Sequence, residues 1–147
     1  LYNLNSTGLR FFTVYGEWGR PDMAYYSFTE KILNNEQIEV YNYGKVERDF
    51  TYIDDIVTGI KASIEKNFSY EIFNLGNSKK EKVLDLIKVI ENKLDKKAKI
   101  VLKPLKSGDV KSTNADITKS SKMLGYNPKT NIDTGLGKFI EWYIDYV

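Results

Sequence analysis

Short apolar runs that end at glycine or charged residues predict the strands of this chain. Residues 7–14 (TGLRFFTV) are rich in aromatic and β-branched side chains and close at Gly16, which predicts a buried strand. Residues 38–43 alternate apolar and polar positions, as in a strand with one buried face. The predicted strands cover residues 7–14, 38–43, 49–53, 71–75 and 100–105.

Helix signals lie between these strands. Pro21 and Asp22 suit the first turn of a helix. A backbone N–H has no partner within the helix at this position, so proline loses nothing there, and the aspartate charge matches the positive end of the helix dipole. Residues 78–81 (SKKE) have the spacing of a capping box. Asp54 or Asp55 is predicted to cap the helix that follows it. The other helices are predicted over residues 54–66, after residue 81, over 118–124 with Gly125 at the end, and over 134–146.

Interleaved strands and helices indicate an α/β fold. The strands over residues 38–43, 49–53 and 100–105 do not all fit one doubly wound sheet. Some of them are therefore predicted to form a small accessory sheet.

The amino-acid composition excludes several classes of catalytic and binding site. The chain of 147 residues contains no cysteine and no histidine, which excludes a thiolate nucleophile, a Ser-His-Asp triad and an ordinary structural zinc site. Its net charge of +2 argues against a general nucleic-acid binder. No apolar run approaches the roughly 20 residues of a membrane span and no signal peptide opens the chain, so we expect no membrane association and a cytoplasmic location. A first residue of Leu indicates a piece of a longer protein.

Arginine is scarce, which draws attention to each one. Of 22 basic residues only Arg10, Arg20 and Arg48 are arginine. The planar guanidinium matches carboxylate or phosphate in a way that lysine does not, so Arg20 and Arg48 are candidates for anion binding. Internal ion pairing is the alternative for both.

The segment 15–22 (YGEWGRPD) joins a predicted strand to a predicted helix, where ligands bind in open α/β sheets. Its two glycines lack the third that a dinucleotide fingerprint requires, and an ordinary turn with a packed Trp18 is the alternative. Tyr41 and Lys45 have YxxxK spacing, but they lie in a strand and turn, so no catalytic pair is predicted. Asp109, in the turn 107–109, has the chemistry to accept sugar hydroxyls.

Three segments closely resemble the extended short-chain dehydrogenase/reductase family. They are residues 8–16 (GLRFFTVYG), 18–24 (WGRPDMA) and 48–56 (RDFTYIDDI). Within that family they look most like the NAD-dependent nucleotide-sugar epimerases and dehydratases, and most of all like UDP-glucuronate 4-epimerases of the capsular-polysaccharide type. The resemblance implies the C-terminal part of a Rossmann-type fold, with one or two strands of the parallel sheet and a small mixed α/β substrate-binding lobe.

The resemblance also implies a role for each matching position. Phe11 and Phe12 would lie beside the nicotinamide of NAD. Thr13 and Arg20 would face the sugar and its carboxylate. The remaining implied contacts are Tyr41 with uracil, Arg48 with the diphosphate and Asp109 with the ribose. Glu17 stands where the family usually has proline, and Lys106 where relatives often have Arg or Gln.

In this family the glycine-rich NAD turn and the catalytic Tyr and Lys precede the part that matches residues 1–147. We therefore expect this chain to be the substrate-binding half, with no catalytic residue of its own, a UDP-sugar as ligand and the NAD-binding half as partner. A homodimer is expected only for the full-length enzyme. The alternatives are a non-catalytic fragment or assembly module, and part of a UDP-sugar decarboxylase or dehydratase.

Overall fold

A computed structural model describes residues 3–147 and contains parallel strand pairs covered by helices. The strands are β1 (Ser6–Phe11), β2 (Thr13–Tyr15), β3 (Gln37–Val40), β4 (Glu47–Tyr52), β5 (Tyr70–Leu75), β6 (Lys80–Lys82) and β7 (Lys99–Leu102). The helices are α1 (Ala24–Leu33), α2 (Ile53–Lys66), α3 (Val83–Leu94), α4 (Thr118–Leu124) and α5 (Ile132–Tyr146). The predicted α/β class is confirmed.

Three groups of strands make up the sheets. β1 pairs with β5 and β2 pairs with β4, both in parallel, and β6 adds to β4 in the antiparallel direction. β3 and β7 form a separate parallel pair. That pair is the predicted accessory sheet, whereas β4 belongs with β2.

The predicted strand over residues 7–14 is interrupted. The Phe12 N–H donates to the Leu75 carbonyl oxygen, and the Val14 N–H donates back to the Phe12 carbonyl oxygen, a two-residue bond that bends the chain. The prediction of a buried strand is also wrong for β1, because most of its residues are exposed among the residues described. Aromatic content alone did not reveal the break.

Two predicted helix starts are wrong. Residues 20–23 form a turn in which the Met23 N–H donates to the Arg20 carbonyl oxygen, so α1 begins at Ala24 rather than at Pro21. Residues 80–82 pair with β4 as β6, which moves the start of α3 to Val83 and leaves no capping box. A local turn outweighs the sequence signal in the first case, and a tertiary contact does so in the second.

Neither Asp54 nor Asp55 caps α2, which begins at Ile53 behind Tyr52 with no side-chain cap, and Asp55 has another role. Its two carboxylate oxygens accept the backbone N–H groups of Lys129 and Thr130, at 3.1 and 3.0 Å, so it holds the segment before α5 against α2. α4 ends at Gly125 as predicted, where φ is +70°. α5 begins at Ile132, two residues earlier than predicted. Asn131 is its N-cap, and the Asn131 side chain accepts a hydrogen bond from the Thr134 N–H.

The core has two parts. The larger lies among α1, α3, α5 and strands β2, β3 and β4, and the smaller lies among α2, α4 and β5. Tyr15 sits near the middle of the larger part, with Tyr25, Phe50 and Tyr52 edge-on around it. Such edge-to-face pairs favour one arrangement of the rings.

Buried tyrosines make the fold sensitive to high pH. Burial raises the pKa of Tyr25 to about 12 and raises the pKa values of Tyr15 and Tyr126 as well. An unfolded tyrosine ionises near pH 10, so above about pH 10 the unfolded state releases protons that the folded state keeps. We therefore expect the free energy of unfolding to fall as the pH rises from about 10 towards 12.

A spectrophotometric titration of the tyrosines checks this expectation. The exposed members of the 11 tyrosines should ionise first, and the buried ones should ionise in a cooperative step that coincides with loss of the far-ultraviolet circular dichroism. Complete ionisation near pH 10 with a native dichroism spectrum would contradict the burial of these phenols.

Candidate ligand-binding site

An open cavity of about 390 Å³ lies where β2 ends and the 16–20 loop begins. Ligands of open α/β sheets bind at the carboxyl ends of parallel strands, which is where this cavity lies. Phe11 presents its ring there and is 49% exposed. The other lining residues include Phe12, Glu17, Trp18, Gly19 and Arg20.

Arg20 reaches the rim of this cavity and holds an ion pair. Its Nε and Nη2 atoms donate to the two carboxylate oxygens of Asp22, at 3.0 and 2.7 Å. The hydrogen bond lowers the pKa of Asp22 and raises that of Arg20. The Arg20 side chain is 75% exposed, so water screens the pair, and an incoming carboxylate can replace Asp22 as its partner.

Thr13 belongs to the strand and not to the described lining. It pairs with Phe50 across β2 and β4 and is partly buried, whereas its neighbours Phe12 and Val14 both line the cavity. The structure thus brings Phe11, Phe12 and Arg20 together, with Thr13 adjacent in the chain.

A second group of predicted residues gathers near the start of β4. The Arg48 Nη2 atom donates to Asp109 Oδ1 at 2.9 Å, and its Nη1 atom donates to the Glu47 carbonyl oxygen at 2.9 Å. The Arg48 side chain is only 18% exposed. Both side-chain contacts of Asp109, to Arg48 and to the Val110 N–H, use Oδ1.

Tyr41 and Lys106 form a contact beside this group. The Lys106 Nζ atom lies 4.1 Å from the centre of the Tyr41 ring, and the Tyr41 hydroxyl donates to Glu39 Oε2 at 2.7 Å. Interaction with Tyr41 raises the pKa of Lys106. Because Lys106 and Asp109 share one loop, the second group comprises Tyr41, Arg48, Lys106 and Asp109, which together offer two cations, one carboxylate and one flat aromatic face.

Strand β4 connects the two groups. Arg48 lies two residues before Phe50, and Phe50 is the partner of Thr13 in β2. Two residues of strand span about 7 Å, so one strand carries Arg48 and supports the cavity. Among residues 3–147 no three His, Cys, Asp or Glu side chains are grouped to hold a metal ion.

Sequence reasoning missed the buried carboxylate of Asp49. It is completely buried and accepts hydrogen bonds from the Thr51 hydroxyl and from the backbone N–H groups of Asn77, Ser78 and Ala115, at 2.7–3.0 Å. Aspartate is disfavoured inside strands, so an Asp between Arg48 and Phe50 was the available signal. It ties β4 to two loops next to Arg48.

Glu17 was noted only as a departure from the family pattern. The buried Tyr52 donates its hydroxyl to both carboxylate oxygens of Glu17, at 2.8 Å. Burial and this hydrogen bond together raise the pKa of Tyr52. The contact ties the 16–20 loop to β4.

Comparisons with known proteins assign the chain to a family. Residues 1–76 match the model of the "NAD dependent epimerase/dehydratase family". The chain belongs to this family, and the resemblance found in its sequence is confirmed. None of the helices among residues 3–147 is long and apolar enough to cross a membrane.

Two curated relatives cover nearly the whole chain. An uncharacterized protein of Methanocaldococcus jannaschii is 57% identical over 145 residues, which is 99% of this chain and 44% of that protein. UDP-glucuronate 4-epimerase 4 of Arabidopsis thaliana is 46% identical over 163 residues, which is 99% of this chain and 37% of that enzyme. The chain therefore spans less than half the length of these relatives.

A solved structure agrees in fold. A variant of the UDP-glucuronic acid 4-epimerase from Bacillus cereus, in complex with UDP-4-deoxy-4-fluoro-glucuronic acid and NAD, superimposes with a TM-score of 0.93 and 33% sequence identity. The match covers 99% of this chain and 47% of that one. The predicted Rossmann-type extended dehydrogenase/reductase fold is confirmed.

Proposed function

We propose that this chain is the UDP-sugar-binding half of an NAD-dependent epimerase that interconverts UDP-glucuronate and UDP-galacturonate. The observation that carries the proposal is that Arg48, on the strand that also supports the cavity beside Arg20, holds Asp109 of the 107–109 turn. A nucleotide sugar acid needs contacts for a base, a diphosphate and a carboxylate, and the two groups offer all three.

The proposal includes the parts of the enzyme that lie outside these 147 residues. An NAD-binding half would contribute the glycine-rich turn, the catalytic Tyr and Lys, and the contacts of a homodimer. The complete enzyme would work in the cytoplasm and supply a sugar acid for surface polysaccharide. The matches of this chain to less than half of each relative's length support this division.

The residues present fit one end of NAD. Phe11 and Phe12 line the cavity with apolar rings, which suits a flat nicotinamide, whereas the 16–20 loop lacks the glycine spacing that holds a pyrophosphate. When bound, NAD supplies the oxidation and the re-reduction at carbon 4 of the sugar. The chain itself binds and orients the substrate.

Binding would use each group for one part of the ligand. Arg48 donates two hydrogen bonds within the chain and has further N–H groups for the diphosphate. The Asp109 contacts to Arg48 and to the Val110 N–H both use Oδ1, so Oδ2 would accept hydrogen bonds from the ribose hydroxyls. The Tyr41 ring would carry the uracil, with Lys106 moving from its face.

Arg20 would protect the substrate from losing carbon dioxide. A uronate oxidised at carbon 4 is a β-keto acid, whose carboxylate charge disappears as carbon dioxide leaves. Hydrogen bonds to that carboxylate stabilise it more than the departing group, so they raise the barrier to decarboxylation. An epimerase of sugar acids needs this protection.

Product analysis tests the proposed reaction. The enzyme that carries this chain together with its NAD-binding half is incubated with UDP-glucuronate and NAD, and the products are identified by nuclear magnetic resonance. UDP-galacturonate is expected. A UDP-pentose with released carbon dioxide would instead identify a decarboxylase, and unchanged substrate would favour a non-catalytic role.

Replacing Arg20 by Ala in that enzyme should weaken sugar-acid binding selectively. We expect the dissociation constant of UDP-glucuronate to rise roughly tenfold and that of UDP-glucose to change little, because only the former has a carboxylate for Arg20. Calorimetric titration measures both constants, and Lys31→Ala provides a control for the loss of one surface charge. Equal weakening of the two ligands would contradict a carboxylate contact.

A further inference from the structure

The 16–20 loop has a backbone that needs support from outside. Trp18 has φ of +60°, in the left-handed region that bulky residues seldom adopt, and its side chain is 70% exposed. An exposed tryptophan in this conformation persists only where neighbouring contacts hold it. Trp18 is also in the cavity lining, two residues before Arg20.

The contacts to Trp18 come from the last turns of the C-terminal helix. Its ring centre lies 4.6 Å from that of Tyr146 and 5.2 Å from that of Trp142. Trp142 and Tyr146 stack on each other, with centres 5.1 Å apart and planes at 15°. We call these two residues the aromatic platform. It meets Trp18 at an edge-on and a tilted angle, as favourable aromatic pairs do.

Two further contacts fix the same loop from the core side. Tyr52 holds the Glu17 carboxylate, and the Tyr25 hydroxyl donates to the Gly16 carbonyl oxygen at 3.2 Å. A Cβ atom at Gly19 would lie 1.6 Å from the Tyr25 hydroxyl oxygen, so the loop passes directly over that residue. Core residues Tyr25 and Tyr52 thus contact the loop at positions 16, 17 and 19, and α5 contacts it at Trp18.

We propose that Tyr146 and Trp142 are positioning residues that act through Trp18 to hold Arg20 at the cavity. The effect on ligand selectivity rests on the proposed function, whereas the effect on the mobility of Trp18 does not. The C-terminal turn of α5 therefore helps to determine which sugars the cavity selects. This turn lies far along the chain from the loop that it supports.

The tryptophan content permits a direct test of loop mobility. The chain contains 2 tryptophans, so Trp142→Phe leaves Trp18 as the sole tryptophan, which is excited selectively over tyrosine at long wavelength, while it keeps an aromatic ring in the platform. In this background Tyr146→Ala removes the ring nearest to Trp18. Ile144→Ala is the matched control, since Ile144 is an exposed apolar residue of the same turn, 57% exposed against 60% for Tyr146.

Time-resolved fluorescence anisotropy and acrylamide quenching of the full chain report on Trp18. We expect Tyr146→Ala to increase the local mobility and quenching of Trp18 at unchanged far-ultraviolet circular dichroism, and Ile144→Ala to leave both at the reference values. Tyr146→Phe should restore the reference behaviour. Equal mobility of Trp18 in the Tyr146→Ala and Ile144→Ala proteins would overturn the proposal.

Ligand selectivity supplies the second readout, in the enzyme that includes the NAD-binding half. Tyr146→Ala should lower the preference for UDP-glucuronate over UDP-glucose by about 2- to 10-fold, with less than additive loss when it is combined with Arg20→Ala. Fully additive losses would overturn the link to Arg20. If the unaltered enzyme shows no preference for the sugar acid, the proposed function fails, and the anisotropy result still decides the role of the platform.

Discussion

Replacing Asp49 by Ala is expected to lower the free energy of unfolding by about 3–5 kcal/mol. The substitution leaves the N–H groups of Asn77, Ser78 and Ala115 without their acceptor, in hydrogen bonds that are partly or completely buried. A buried donor that loses its partner costs the full energy of its desolvation, which makes this loss much larger than that of an average side chain. Urea denaturation followed by circular dichroism measures the change.

Two further variants separate the hydrogen bonds from the loss of a carboxylate in general. Asp49→Asn keeps the shape but places an amide N–H₂ against backbone N–H groups, so it too should destabilise the chain strongly. Asp85→Asn changes a carboxylate that is 51% exposed and should leave stability close to wild type. A stable Asp49→Ala protein would show that β4 and its loops hold together without this carboxylate.

Replacing Arg48 by Ala in the enzyme with its NAD-binding half is expected to weaken every UDP-sugar by about 1.5–3 kcal/mol. The loss should be the same for UDP-glucuronate, UDP-glucose and UDP itself, because all three share the diphosphate. Arg48→Lys should recover only part of the affinity, since a lysine ammonium lacks the planar pair of donors. Isothermal titration calorimetry measures the three dissociation constants.

Lys45→Ala is the control for Arg48. Lys45 is an exposed cation three residues earlier in the chain, and its removal changes the net charge by the same amount. We expect ligand binding to be nearly unchanged in this variant. If Lys45→Ala and Arg48→Ala weaken binding equally, Arg48 acts only through the overall charge and does not contact the diphosphate.

Much of the fold was predictable because local and tertiary preferences agree. The apolar run at residues 71–75 became β5, and residues 118–124 became α4 with Gly125 in the left-handed conformation. Some errors occurred where a partner distant in sequence decides the local structure. The β6 segment, Lys80–Lys82, pairs with β4 and displaces the predicted capping box, and a contact of this kind leaves no mark within a short window of sequence.

The candidate site also divides into residues that the sequence identifies and contacts that depend on tertiary packing. The scarcity of arginine pointed to Arg20 and Arg48, and Arg48 meets Asp109 across 61 residues of chain. The partners of Asp49 and Glu17 depend on where loops and strands pack, so their residue types alone did not reveal their contacts. The aromatic platform was hidden for a related reason, since Trp142 and Tyr146 fit equally well on the apolar face of an ordinary terminal helix.

The preference between two ligands that differ only at carbon 6 of the sugar tests the central claim, that this chain recognises a UDP-linked sugar acid. UDP-glucuronate and UDP-glucose are titrated by calorimetry into the unaltered enzyme with its NAD-binding half, under one buffer and one salt concentration. Binding through both Arg48 and Arg20 predicts a lower dissociation constant for UDP-glucuronate. Equal constants, or tighter binding of UDP-glucose, would contradict it.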